Sequence, residues 1–273
     1  HYPAARNAEN PVKALIEAVV ARQAKLIAQW MSLGFIHGVM NTDNMQIAGE
    51  TIDYGPCAFM DVFHPSTVFS SIDRNGRYAW ANQPNIGVWN LSRLAEALLP
   101  ILNDDADEAV KQAEAAVGQF AQSFNNALND SFAAKLGISV DPTFLQETFK
   151  VMTDQGCDFT LFFSTLTQIA QGAADSPFVE LFVQESTAIE WLEQWRNLYE
   201  PEKLANMKAA NPVYIPRNHQ VERAIAAAYS GDFSVFYALL NVLKNPFDSS
   251  ADFEAYTKPP KPSEVVQQTF CGT

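Results

Sequence analysis

His37-Gly38-Val39-Met40-Asn41-Thr42-Asp43-Asn44, followed closely by Thr51-Ile52-Asp53-Tyr54-Gly55-Pro56, is the stretch that decides how the rest of the chain is read. It is polar, rich in Gly and Asn, and has neither the helical nor the strand period. Asp43, Asn44 and Asp53 are hard oxygen donors on two short segments. A turn at Ala48-Gly49-Glu50 is expected to close those segments into a small hairpin. Two carboxylates and an amide suit Mg²⁺, which takes few protein ligands and completes its shell with water and substrate phosphate. The same residue types cap turns in ordinary loops, so spacing alone leaves both readings open.

Working outward, Ala14 to Leu33 repeats apolar residues at three and four positions and predicts a helix, stopped by Gly34. Asp61 to Pro84 is irregular. From Ile86 the pattern is helical almost to the end, with helices expected over 88–102, 105–136, 142–153, 159–173, 177–199, 218–229 and 232–243. Asp141-Pro142 and Ser176-Pro177 each pair a capping residue with a first-turn proline. Pro259, Pro260 and Pro262 mark an extended tail. The expectation is a mainly α chain forming one domain over 1–273. Residues 1–102 carry the loops and first helices, 103–245 a helical extension, and 246–273 the tail.

Composition narrows the function classes. The 273 residues carry 18 basic and 31 acidic side chains, a net charge of −13, which argues against nucleic acid as a partner. No apolar run approaches the roughly 18 residues of a membrane helix, so no membrane partner is expected. Cys57, Cys157 and Cys271 show no metal-ligand spacing. Their odd number and the lack of a signal segment predict a cytoplasmic location. The chain starts at His1 rather than Met and is read as a processed or partial product.

A His, an Asn seven positions later, then Asp-aromatic-Gly, is the order of the catalytic and metal loops of protein kinases. Asn44 and Asp53 take the metal positions, with Tyr54 for the usual Phe. The position of the kinase base, two after the His, holds Val39, which accepts no proton.

The motifs at 37–45 and 51–56 resemble selenoprotein O, the YdiU or UPF0061 family. The likeness continues at Gly76-Arg77-Tyr78, Asn82-Gln83-Pro84, Trp89-Asn90-Leu91, Asp158-Phe159-Thr160, Asn211-Pro212, Arg217-Asn218 and Gly231-Asp232-Phe233. The resemblance implies the helical C-terminal lobe of a protein-kinase-like fold, with the hairpin carrying the metal loop. It implies transfer of AMP from ATP to Ser, Thr or Tyr hydroxyls of proteins. Asp43 would be the catalytic proton acceptor. Asn44 and Asp53 would bind Mg²⁺ (or Mn²⁺), with Asp53 also near the nucleotide. It further implies a redox role for Cys271 and, in a eukaryote, a mitochondrial location. A Cys57–Cys271 disulfide and three unpaired thiols both remain open.

Kinase-like sites lie between two lobes, and the N-terminal lobe supplies a Gly-rich loop, a strand lysine and a helix glutamate. This sequence contains none of them, so the missing N-terminal lobe is counted as a partner and the isolated chain is expected to be inactive. Two other readings stand beside AMP transfer. One is a kinase-like phosphotransferase, against which Val39 argues. The other is a non-catalytic helical domain that binds partners. His37 is read as a brace for its loop, and His64 and His219 as surface or helix-start residues. Arg217 and Asn218 are read as a cap or a brace behind the loop. Arg77 follows the metal motif, where a substrate or phosphate passes. Phe159, Phe162, Phe163, Phe178 and Phe182 are read as core, or as the face of an interface.

Overall fold

The computed structural model describes residues 1–270. Its first helix, α1 (Pro11–Ser32), starts three residues before the expected Ala14, because Asn10 caps it: the Asn10 side chain accepts from the Lys13 N–H at 3.0 Å. Ile16, Val19, Val20, Ala24 and Ile27 form its buried stripe. Gly34 ends it at φ +71°, and a Cβ there would meet the Phe159 ring at 2.8 Å. Handedness and space therefore both require glycine.

Two antiparallel strands of two residues each, β1 (Phe35–Ile36) and β2 (Ala58–Phe59), enclose the polar loop between them. The expected hairpin at 48–50 is smaller than a sheet. It is a turn closed by a single antiparallel bridge between Met45 and Thr51.

Beyond a 3₁₀ turn at Trp80–Asn82 come α2 (Gln83–Leu102) and α3 (Ala106–Leu136), which pack on α1 as a three-helix layer. Gly87 allows the close approach. A Cβ at that position would meet Ile27 at 2.5 Å and Phe120 at 3.4 Å. The inner face of α3 is small for three turns (Ala109, Ala113, Ala116) and then aromatic (Phe120, Phe124).

A second layer holds α4 (Pro142–Gln155), α5 (Phe159–Ala170), α6 (Ser176–Val179) and α7 (Glu185–Leu198). Asp141 caps α4, accepting from the N–H groups of Thr143 and Phe144 at 3.0 Å. All five phenylalanines read as core or interface are core. Phe162 stands 4.9 Å from both the Phe178 and the Trp191 ring centres, and Phe182 is 8% exposed.

The single helix expected over 177–199 is two. Phe178 and Phe182 both turn into the aromatic cluster, which breaks the helix between them and Glu185. The new start of α7 gains a partner from α4, as Gln184 N–H donates to Gln155 Oε1 at 2.8 Å. Ser176 is not the cap; it is the first residue of α6, and the N-cap position falls to Asp175, whose side chain makes no capping bond.

The short α8 (Leu204–Ala210), which the periodicity does not reveal, is followed by α9 (Asn218–Tyr229) and α10 (Ser234–Leu243). The tail then returns to the first layer, where Thr269 pairs in parallel with Ser70. Among the described residues no helix is long and apolar enough to cross a membrane.

Candidate functional site

The loop between β1 and β2 is held at its root by a buried amide. Gln83, fully buried on the first turn of α2, accepts from His37 N–H at 3.0 Å and donates to the Phe35 carbonyl at 3.1 Å. One side chain thus does the hydrogen bonding of a neighbouring strand. Asn90, two turns further along the same face of α2, donates to the Met40 carbonyl at 2.9 Å. Tyr78 donates its hydroxyl to Asn41 Oδ1 at 2.8 Å. Trp30 donates its indole N–H to Thr51 Oγ1 at 2.8 Å. These anchors went unassigned in sequence. Their only signal there is that Gln83, Asn90 and Tyr78 fall inside the motifs that carried the family resemblance.

His37 braces the loop, as expected. It is fully buried, and its Nε2 lies 2.9 Å from the carbonyl of Ile52, the residue before Asp53. Burial lowers its pKa, while the Ile52 carbonyl and the charge of Asp53 oppose that shift. Gly38, at φ +86°, lies against Pro56, whose carbonyl oxygen would be 2.9 Å from a Cβ. The His37 and Asp53 segments are therefore tied to each other at 37–52 and at 38–56.

Asp43 and Asn44 sit in a 3₁₀ turn (Thr42–Asn44) just before the Met45–Thr51 bridge, and Asp53 lies just after it. In an antiparallel bridge the chain before one partner and the chain after the other leave in the same direction. The three oxygen donors therefore stand at the same end of the bridge.

Asp43 and Asp53 are exposed. Asn44 is half-buried and donates its amide to the Val39 carbonyl at 3.0 Å, which leaves its side-chain oxygen for another partner. Asp53 is the one non-glycine among the described residues with a left-handed backbone, at φ 55°. Such a residue costs about 1–2 kcal/mol and collects at functional positions. Among the described residues no three His, Cys, Asp or Glu side chains converge as a metal cage. A donor set of two carboxylates and an amide suits a cation that keeps water and substrate oxygens in its shell.

Val39, two residues after His37, is 8% exposed and belongs to the core.

Behind the loop, Arg217 is 1% exposed and pairs with Asp61 and with Asp158, the latter at 2.7 Å. Burial raises the Asp61 pKa, and the Arg217 guanidinium pulls against it. Phe63 N–H to the Cys157 carbonyl (2.8 Å) and Phe159 N–H to the Asp61 carbonyl (2.7 Å) complete this seam. Arg217 is thus the brace of the two expected roles; it makes no side-chain cap on α9. His64 is exposed, and His219 is buried in the first turn of α9.

Cys57 and Cys157 carry free thiols, pushed up by burial to about 11 and about 12. Thiols so placed are poor nucleophiles at neutral pH. Cys271 lies outside the described residues.

A family model described as protein adenylyltransferase SelO matches residues 1–244. Proteins named protein nucleotidyltransferase YdiU from Rhizobium etli, Bradyrhizobium sp. and Methylorubrum populi are 51%, 50% and 47% identical to this chain. The alignments cover 100% of this chain and 57%, 58% and 58% of those relatives. The chain thus spans a little under three fifths of the length of the curated relatives it matches.

Proposed function

The chain belongs to the SelO family of protein adenylyltransferases, and on that premise we propose that it is the helical, kinase-like lobe of an enzyme that moves AMP from ATP to protein hydroxyls. The observation that carries this reading is the loop itself: two exposed carboxylates and one half-buried amide at one end of the Met45–Thr51 bridge, over a buried Val39.

In this reading Asp43 accepts the proton of the attacking Ser, Thr or Tyr hydroxyl, since an exposed carboxylate on a tethered turn is free to reach it. Asn44 and Asp53 hold Mg²⁺ or Mn²⁺. The ion, when bound, neutralises charge on the pyrophosphate leaving group. His37 keeps Asp53 in place through the Ile52 carbonyl, and Gln83 keeps His37 in place. The left-handed backbone of Asp53 holds its carboxylate without rearrangement on ligand binding.

Neither a Gly-rich loop nor a strand lysine occurs in these 273 residues. We therefore place the remaining phosphate contacts in an upstream lobe and assign no transfer activity to the isolated chain.

Cys271 is proposed as a redox group, with Cys57, a free thiol in this structure, as the partner it takes only on oxidation. What supports it is the tail: Thr269 bonds the carbonyl of Pro56, the residue before Cys57. Under denaturing conditions an oxidised sample then shows one free thiol; three would sink the pairing.

The main test uses ATP labelled on the α- or the γ-phosphate, Mg²⁺, and the chain extended to the length of its relatives. Label kept on protein from the α-position alone, and lost in Asp43→Ala, is the expected result. Label from the γ-position would mean a kinase. No label from either, with nucleotide binding unaffected by Asp53→Ala, would favour a partner-binding domain.

A further inference from the structure

Arg77 is held as few exposed arginines are. Asp73 gives both carboxylate oxygens to the backbone around it, accepting from Arg77 N–H at 2.9 Å and Tyr78 N–H at 2.7 Å. Asn82 donates to the Arg77 carbonyl at 2.6 Å. Tyr78 is buried and reaches Asn41, two residues before Asp43. The backbone of Arg77 is thus fixed to the edge of the Asp43 loop from both sides.

Its guanidinium is exposed and stacks on aromatic faces instead, 5.1 Å from the centre of the Trp89 ring and 5.6 Å from that of Tyr78. No carboxylate pairs with it among the described residues. Arg93, one turn along α2, places a second guanidinium 5.6 Å from the same Trp89 ring. Its one ionic partner is Glu96, at 2.6 Å on the surface. Trp89 is 43% exposed. In a chain of 31 acidic and 18 basic residues, two cations are gathered on one open indole; of the two acids beside them, Asp73 is taken up by backbone N–H groups and Glu96 pairs with Arg93, which leaves the Arg77 guanidinium unpaired among the described residues.

We propose that Arg77, Trp89 and Arg93 form a docking surface for the acceptor protein, gripping carboxylates that flank the hydroxyl to be modified. This rests on the AMP-transfer reading and names its substrate class: acceptors whose Ser, Thr or Tyr sits in an acidic segment. A guanidinium stacked on indole keeps its N–H edge free for a carboxylate, which it meets in bidentate fashion. Trp and Arg are also the residues that dominate the centres of protein interfaces. The negative surface elsewhere repels an acidic segment, so the field steers it to this patch.

The test is fluorescence anisotropy on the 273-residue chain, without nucleotide. The probes are two labelled peptides with one serine each, one flanked by glutamates and one by glutamines. The glutamate peptide is expected to bind roughly tenfold tighter at low salt, and added salt erodes that advantage. Arg77→Gln and Trp89→Ala each remove most of it, and Arg77→Lys retains a part. Arg77→Glu turns the preference toward a lysine-flanked peptide. Unchanged circular dichroism shows that each variant is folded.

Equal affinity for the two peptides overturns the proposal. So does a preference that survives Arg77→Gln, or a loss of Mg·ATP binding in that variant with the peptide preference intact. A peptide preference that persists when the chain extended to the length of its relatives binds no nucleotide supports the docking surface and counts against the AMP-transfer reading instead. Nucleotide binding lost in Asp53→Ala, with no peptide preference, keeps that reading and overturns the docking surface.

Discussion

Thr269 donates its hydroxyl to the carbonyl of Pro56, 213 residues upstream, so the tail is fastened to the far end of the Asp53 loop. Its N–H also reaches the Phe69 carbonyl at 2.7 Å, and its carbonyl accepts from Ser71 N–H at 3.1 Å. Thr269→Val removes only the hydroxyl bond, worth about 0.5–1.5 kcal/mol net. Hydrogen exchange at the Ser71 amide is expected to quicken by roughly two- to tenfold while global stability hardly moves. An unchanged Ser71 rate would show that the hydroxyl contributes nothing to holding the tail.

Asp53 pairs a strained backbone with an exposed carboxylate. Asp53→Gly relieves the left-handed strain but gives the unfolded chain more freedom, so stability should stay within about 1 kcal/mol. Mg-dependent nucleotide binding, read by calorimetry, should disappear. A large fall in the unfolding midpoint would mean that the side chain holds the loop together instead.

Arg217 stands between two carboxylates in a nearly dry seam. Arg217→Met leaves Asp61 and Asp158 without their cation and is expected to cost about 3–5 kcal/mol. Adding Asp61→Asn and Asp158→Asn should recover part of the loss, because Asn still caps α5 at position 158. Denaturant unfolding of the three chains measures this. A single variant within about 1 kcal/mol of the parent would contradict the pairing.

Lys135 lies at the last turn of α3, 2% exposed. Its Nζ donates to the Ala210 carbonyl at 3.2 Å and sits 4.4 Å from the centre of the Phe163 ring. Burial pulls its pKa from 10.5 down to about 7. The folded state therefore holds fewer protons than the unfolded state between those values, and stability rises with pH across that window. The contribution is complete above the unfolded pKa and is lost as pH falls through the folded one. Lys135→Met removes the slope. Near pH 6 the variant gains on the parent, and by pH 10 the parent recovers by an amount on the order of a few kcal/mol. Parallel stability curves for the two chains would refute the depressed pKa.

What the sequence disclosed follows from where each signal is stored. The periodicity of α1, α3 and α9 is local, so it was readable within a residue or a few at each end. The break at 180–184 is not local: Phe182 leaves the helix to meet Phe162, which is a tertiary contact. The seven residues of α8 are too few to show a period. The oxygen donors Asp43, Asn44 and Asp53 stood out because polar residues crowd a segment without helical pattern. Gln83, Arg217 and Lys135 could not be recognised as buried, since a polar residue on a helix or at its start reads as surface until its partners are placed. Lys135 in particular stands where a basic residue complements a helix end, which gives no sign of its burial.

The amide of Gln83 sets an order of events. It lies 46 residues beyond the His37 backbone it holds. At about 5–20 residues per second, a ribosome needs roughly two to nine seconds to make that intervening chain. During that interval the nascent loop has its glycines and its turn but no template for its root. The loop is therefore expected to be among the last parts of this layer to settle, waiting on the docking of α2. A chaperone that delays α2 would leave the helices intact and the loop unformed.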